Sequence, residues 1–273
     1  MQGPRQVPPG RRSFRRPPSG VQPSRPSAPP VGRKEAARLA WRKDRLGSRT
    51  PRDVTPPTHW VYLHGFASSP QSQKAQFFRQ RLEEAGLPVL VPDLNVPSFE
   101  ELTITAMLET FDALVAALPQ DATIGIIGSS LGGLVALFAA GRHASVRRLL
   151  LLAPPLGLFR TTLLGLGQAG LRRWEQAGYQ EFHHHGTGEA RRVSARFIHD
   201  ARKYDESQLK LAIPITIVHG TRDEFVDPHV SVLYAHHRRN VTLHLVDDDH
   251  SLLASCTQIW EWLWKDIRPR QET

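Results

Sequence analysis

From His59 onward, short apolar runs alternate with amphipathic stretches. WVYLHGF (60–66), TIGIIGSS (123–130), VRRLLLLAP (146–154), PITIVHG (214–220) and VTLHLVDDD (241–249) are apolar runs of strand length, and each predicts a strand. PVLVPDL (88–94) reads as a further strand, buried on both faces. Between the strands, apolar residues recur at helical spacing. Over 71–86, Phe77, Phe78, Leu82 and Ala85 share one side and Gly86 supplies a stop. Over 98–118, Leu102, Met107, Leu108, Phe111, Leu114 and Val115 form a candidate core stripe. Further helices are expected at 131–141, 228–238 and 251–267. In the last, Trp260, Leu263, Trp264 and Ile267 fall on one face, which suits core packing better than an aromatic platform for a ligand. About six short strands separated by helices predict an α/β fold, a mostly parallel sheet with helices on both faces.

One stretch breaks this rhythm. Residues 155–210 lack a good buried strand and carry Gly, Arg, His and scattered aromatics. Helices are expected near 160–178 and 189–203, forming a helical cap insertion. Ligands in open α/β sheets sit at the carboxyl ends of the strands. An insertion at that edge is placed to cover a site, although a packing insertion with no gating role has the same sequence signature.

Charge separates the chain into two parts. The whole carries +9, but residues 1–58 hold 14 Lys and Arg against three Asp and Glu, a net +11. The remaining 215 residues hold 21 against 23, a net −2, and 12 of the 22 prolines lie before residue 58. Residues 1–58 therefore read as a disordered basic arm, with a short basic helix over 33–46, and 59–273 as one domain. The arm is open to several readings: a dispensable tail, an upstream stretch translated from a wrong start, a transit peptide or a polyanion-binding segment. No apolar run approaches the roughly 18–20 residues of a membrane-spanning helix. The first thirty residues also lack the apolar core of a signal peptide. With a single cysteine, Cys256, these features point to a cytoplasmic protein.

The domain carries one strong chemical motif. Gly128-Ser129-Ser130-Leu131-Gly132 is G-x-S-x-G, placed where a strand ends and a helix begins. A serine on so sharp a turn needs neighbours without bulk, which Gly128 and Gly132 supply. The turn lifts its hydroxyl above the sheet beside the N–H groups of the helix start. Ser130 is the expected nucleophile. Such a hydroxyl needs a base, and the base an orienting carboxylate. In this arrangement the acid and then the histidine follow the serine along the chain. Asp223 follows the strand PITIVHG and His250 follows VTLHLV, so both fall at strand ends on the edge that carries Ser130. Asp227, just before Pro228, is the rival acid. An oxyanion needs two preorganised donors. The N–H of Leu131 is one, and that of Phe66, in the supporting loop His64-Gly65-Phe66, is the other.

These residues carry a resemblance. The pattern over 59–273 resembles the α/β-hydrolase fold with a reduced sheet. LHGFASSPQSQKA (63–75) together with GSSLGG (128–133) resembles small bacterial esterases of the YqiA/YcfP type, which carry an H-G-F-x-S-S-P-x-S-x-K-A segment after their first strand. The resemblance implies hydrolysis of esters or thioesters by a triad of Ser130, Asp223 and His250, with no cofactor. A serine peptidase or acyltransferase would use the same triad. A non-catalytic module acting through its arm would not need it. The expected partner is a small-molecule ester or thioester, with no nucleic acid required.

Two other clusters invite weaker readings. His183, His184, His185 and His199 could suggest a metal site, but three consecutive histidines do not share a helix face and no Cys or carboxylate spacing supports them. No metal is expected. Arg191, Arg192 and Arg196 read as a solvated cap face or as a greeting for an anionic substrate.

Overall fold

The computed structural model describes residues 56–157, 166–236 and 238–268. The arm up to residue 55, with its expected helix at 33–46, lies outside the described residues, as does the start of the helix expected near 160–178.

The chain opens with β1 (His59–Leu63), α1 (Gln73–Glu84), β2 (Val89–Leu90), α2 (Ile104–Ala116) and β3 (Ile124–Ser129). It continues through α3 (Leu131–Arg142), β4 (Val146–Leu152), α4 (Gly167–Ala177), β5 (Tyr179–His184), β6 (Glu189–Ser194) and α5 (Arg196–Ala201). It closes with β7 (Ile215–Gly220), α6 (His229–His236), β8 (Val241–Val246) and α7 (Cys256–Ile267). Six strands form one sheet in the order β2-β1-β3-β4-β7-β8. All of its pairings are parallel. From β1 the chain moves outward to β2 and then crosses back to β3 on the other side. The connections leaving β1 and β3 therefore diverge and open a crevice at the carboxyl ends of these two neighbours.

Strand period sorts the core into two layers. Val61, Leu63, Ile124, Ile126, Leu149 and Leu151 face α2 and α3, where Met107, Leu108, Phe111, Leu134 and Val135 are buried. Trp60, Tyr62, Ile127, Leu150 and Leu152 face the opposite way, onto Phe78 and Leu82 of α1 and Ile259 and Leu263 of α7. Trp260, Trp262 and Trp264 are half-buried against this second layer, with Trp260 stacked on Trp264 at 5.7 Å. Trp260 and Trp264 act as packing surface, as the face analysis expects.

Two expectations need correction. The run 88–94 is not a strand buried on both faces. Only Val89 and Leu90 pair, at the sheet edge, and Leu90 is exposed. Pro92 has no N–H to donate to a ladder, so the strand stops there. The excursion after β4 is also not wholly helical. Residues 189–194, expected to be helical, form β6, which pairs antiparallel with β5. The helix begins only at Arg196. Thr187 and Gly188 close the hairpin through N–H bonds to the His184 carbonyl, and Gly188 adopts φ 74°. A residue at that φ favours a turn over a continuing helix.

The insertion is bound to the sheet domain through α2. Asp200, buried at the end of α5, accepts hydrogen bonds from the Thr105 N–H (2.8 Å) and hydroxyl (2.5 Å). It thereby satisfies a backbone donor in the first turn of α2 that has no partner within the helix. Burial pushes the Asp200 carboxyl up, but the bonds from Lys203 and Thr105 outweigh it and hold the group below the usual carboxylate range. Asp200→Ala is expected to lower stability by about 1–3 kcal/mol at neutral pH, measured by urea unfolding. Because the folded-state value is depressed, this contribution is present above the unfolded value of about 3.9 and is lost as the pH falls below it. The unfolding curves of wild type and variant are therefore expected to converge in acid.

Candidate active site

Ser130 sits between β3 and α3 with φ 50° and ψ −120°. This is backbone that a side-chain-bearing residue adopts at a cost of about 1–3 kcal/mol. The turn is held from several directions. The Ser130 N–H donates to the Leu152 carbonyl at 2.7 Å, and its carbonyl accepts from the Gly133 N–H at 2.8 Å. The path also requires glycine on both sides. A Cβ on Gly128 would meet the Gly132 carbonyl, and one on Gly132 would collide with the carbonyls of Leu63, at the end of β1, and of His64 just after it. The sequence expectation for these two glycines thus has a steric basis.

The hydroxyl of Ser130 lies 3.1 Å from Nε2 of His250, and Nδ1 of His250 lies 2.6 Å from Oδ2 of Asp223. The carboxylate fixes the ring proton on Nδ1 and leaves the Nε2 lone pair facing the serine hydroxyl. The Asp223 side chain is fully buried just beyond the carboxyl end of β7, whereas the His250 side chain is about 23 % exposed. Backbone N–H groups of Phe225 and Val226 donate to the second oxygen of Asp223, each at 2.9 Å. Burial pushes the Asp223 carboxyl up, but its bonds from His219 and His250, with the Val226 N–H, outweigh that and hold it far below the usual carboxylate range. Asp227, the rival acid, is exposed and accepts from the His229 N–H at 2.9 Å, at the start of α6.

The loop bearing His250 is shaped by its own aspartates. Buried Asp248 accepts from the N–H groups of Asp249 (2.8 Å) and Ser255 (2.9 Å). Asp249 accepts from the N–H and hydroxyl of Ser251. The loop crosses so close over Gly220 that a Cβ there would meet the Asp248 and Asp249 carbonyls.

One residue of this constellation was given no role by the sequence reasoning. His219, with no exposure, places Nε2 3.1 Å from Asp223 Oδ2 and 3.2 Å from the Val226 carbonyl. Its Nδ1 lies 2.7 Å from the buried Ser231 hydroxyl. Both partners of Nε2 are acceptors, so Nε2 carries the proton and Nδ1 accepts from Ser231. Oδ2 of Asp223 thus receives two imidazoles and Oδ1 two backbone donors. A signal was available in PITIVHG, since an imidazole within a buried apolar strand requires polar partners.

The supporting loop lies against the elbow. A Cβ on Gly65 would come within 3.2 Å of Ser130 Cβ, so only glycine gives this approach without displacement. Buried His64 places Nε2 2.9 Å from the Leu94 N and 3.2 Å from Asp93 Oδ1, and Nδ1 2.9 Å from the Gly65 carbonyl. The N–H groups of Phe66 and Leu131 donate to no described residue. The Phe66 ring packs among Phe99 (5.4 Å), Phe182 (4.9 Å) and Phe197 (5.8 Å), the last two from the insertion. The hairpin tip binds the same loop through the His185 N–H and the Ala67 carbonyl, at 2.9 Å. The insertion therefore braces the loop beside Ser130.

A cleft of about 990 Å³ opens over Ser130 and His250 and is lined by Phe66, Lys74, Phe225 and Leu253 among others. Arg191, Arg192 and Arg196 are directed elsewhere, pairing with Glu100 (2.6 Å), Glu181 (3.2 Å) and Glu101 (3.3 Å). Among the described residues, no group of His, Cys, Asp and Glu is arranged to hold a metal ion. Nor, among them, is any helix long and apolar enough to cross a membrane.

No curated protein matches the chain. Solved structures do. A putative hydrolase from Agrobacterium vitis S4 is 22% identical, with a TM-score of 0.67 over 81% of this chain and 91% of its own. Est1E from Butyrivibrio proteoclasticus, solved with ferulic acid bound, is 22% identical, with a TM-score of 0.64 over 79% and 91%. Mouse alpha/beta hydrolase domain-containing protein 10 is 19% identical, with a TM-score of 0.62 over 76% and 88%. At these identities the likeness is one of fold, and it agrees with the parallel six-stranded sheet. The model of the uncharacterised protein family UPF0227 matches residues 59–263, so the chain belongs to that family and has the α/β-hydrolase fold.

Proposed function

We propose that this protein is a serine hydrolase that cleaves carboxylic esters or thioesters through an acyl-enzyme. The observation that carries the reading is the continuous hydrogen-bonded line from Ser130 through His250 to Asp223, beside two N–H groups without partners among the described residues. His250 Nε2 takes the Ser130 proton as Oγ bonds to the substrate carbonyl carbon. The carbonyl oxygen, now an oxyanion, accepts from the N–H groups of Leu131 and Phe66. Asp223 stabilises the imidazolium through Nδ1–H. The carbon–oxygen or carbon–sulfur bond to the leaving group then breaks, and Nε2–H protonates the departing alcohol or thiol. His250 next deprotonates a water that attacks the acyl-serine, and collapse releases the acid and restores Ser130. The partial exposure of His250 leaves a route for that water. Phe225 and Leu253, both exposed at the cleft, offer apolar surface to an acyl chain.

The test is turnover of a short-chain para-nitrophenyl ester. Ser130→Ala is expected to abolish it. Asp223→Asn is expected to lower kcat by about 10⁴, the effect of a misassigned tautomer, while Asp227→Asn stays within about threefold of wild type. Undiminished turnover in Ser130→Ala, or collapse only in Asp227→Asn, contradicts the assignment.

His219 supports the acid from behind. His219→Phe removes one donor to Asp223 and leaves the Ser231 hydroxyl buried without its acceptor. It is expected to lower stability by about 1–3 kcal/mol in urea unfolding, and Ser231→Ala by less.

A further inference from the structure

Lys74 is the feature of the cleft that the proposed chemistry leaves unused. It lies in the first turn of α1 and lines the cleft together with Ser129, Ser130 and His250. Among the described residues it makes no hydrogen bond and no ion pair. Its position is unfavourable for a cation on two counts. It is partly buried, and it stands at the positive end of a helix that has no acidic residue in its first turn. The carboxylates near enough to act on it are already committed. Asp223 is bound to His250, His219 and two N–H groups, Asp248 to the Asp249 and Ser255 N–H groups, and Asp249 to Ser251. Arg222, the other strong cation lining the cleft, is paired with Asp247 at 2.9 Å.

We infer that Lys74 is a substrate-binding residue, and that the natural substrate is an ester or thioester bearing a carboxylate or phosphate that pairs with its ammonium. An anion in the cleft would supply the partner that the fold withholds, and a charge-assisted bond in a partly desolvated site is the stronger kind. The apolar lip of Phe225 and Leu253 lines the same cleft, so the substrate combines an anionic group with an apolar one. Without a ligand, burial pulls the Lys74 ammonium down to about 8, partly countered by Cys256, Asp223, Asp248 and Asp249. The ammonium is therefore largely charged at neutral pH and loses its proton as the pH rises through that value.

This inference rests on the hydrolase reading, and the experiment separates the two. The quantity measured is the ratio of kcat/KM for an anionic ester to that for its neutral counterpart. One arm places the charge on the acyl side, with para-nitrophenyl hydrogen adipate against para-nitrophenyl hexanoate. The other places it on the leaving group, with meta-acetoxybenzoate against its methyl ester. In at least one arm wild type is expected to prefer the anion, and Lys74→Met to lower the ratio about tenfold, while Lys74→Arg retains it. The wild-type preference is expected to fall above about pH 8. That of Lys74→Arg is expected to persist, because its guanidinium stays charged. Ester turnover with no charge preference in either arm, or a ratio unchanged in Lys74→Met, overturns this inference alone. Failure of wild type to turn over any of the esters overturns the hydrolase reading beneath it.

Discussion

A serine held at φ 50° and ψ −120° between a parallel strand and a helix governs the arrangement around it. That backbone is unfavourable by itself, so the surrounding structure must over-determine it. It does so by letting α3 lie almost in contact with β1 and β3, which is possible only because Gly128 and Gly132 carry no Cβ. The same closeness brings the loop after β1 against the elbow, where Gly65 touches Ser130. Strain in one residue, close packing in its neighbours and two N–H groups without partners among the described residues are thus aspects of a single geometry.

His250 is held by a second constraint, the burial of Asp223. A carboxylate with no exposure must have its acceptor sites filled, and here two imidazoles and two backbone N–H groups fill them. His250 therefore approaches a partner that cannot rotate away from it. On the other side of Ser130, the insertion braces the loop carrying Phe66 through an aromatic cluster and through the hairpin tip. Asp200 holds that insertion to α2. The line of support thus runs from α2 through the insertion and the loop to the elbow.

Much of this was legible in the chain. The parallel sheet followed from the alternation of apolar runs with amphipathic stretches, and G-x-S-x-G marked the elbow because strand and helix patterns flank it. Asp223 and His250 drew attention because each lies a few residues beyond the end of an apolar strand. Other features depended on contacts the sequence does not display. YQEFHH and EARRVS carry polar residues on both sides and lack the apolar alternation of a half-buried strand, since they pair mainly with each other. The helix expected over 189–203 failed over 189–194 for that reason and held only from Arg196 to Ala201, and the edge strand was overread because its apolar run contains a proline. The sequence reading favoured Asp223 and kept Asp227 as rival; in the structure Asp223 is the one hydrogen-bonded to His250, a contact the sequence does not display. The position of Lys74 in the cleft, and its lack of a hydrogen-bond or ion-pair partner among the described residues, are likewise not displayed by the sequence.

The most direct test of the central claim is to treat the purified chain with a fluorophosphonate and locate the adduct by mass spectrometry of its peptides. The account predicts one covalent phosphonate on the hydroxyl of Ser130, with none on the adjacent Ser129 and none after heat denaturation. An adduct on Ser129 or elsewhere, or a native chain that remains unlabelled, would contradict it.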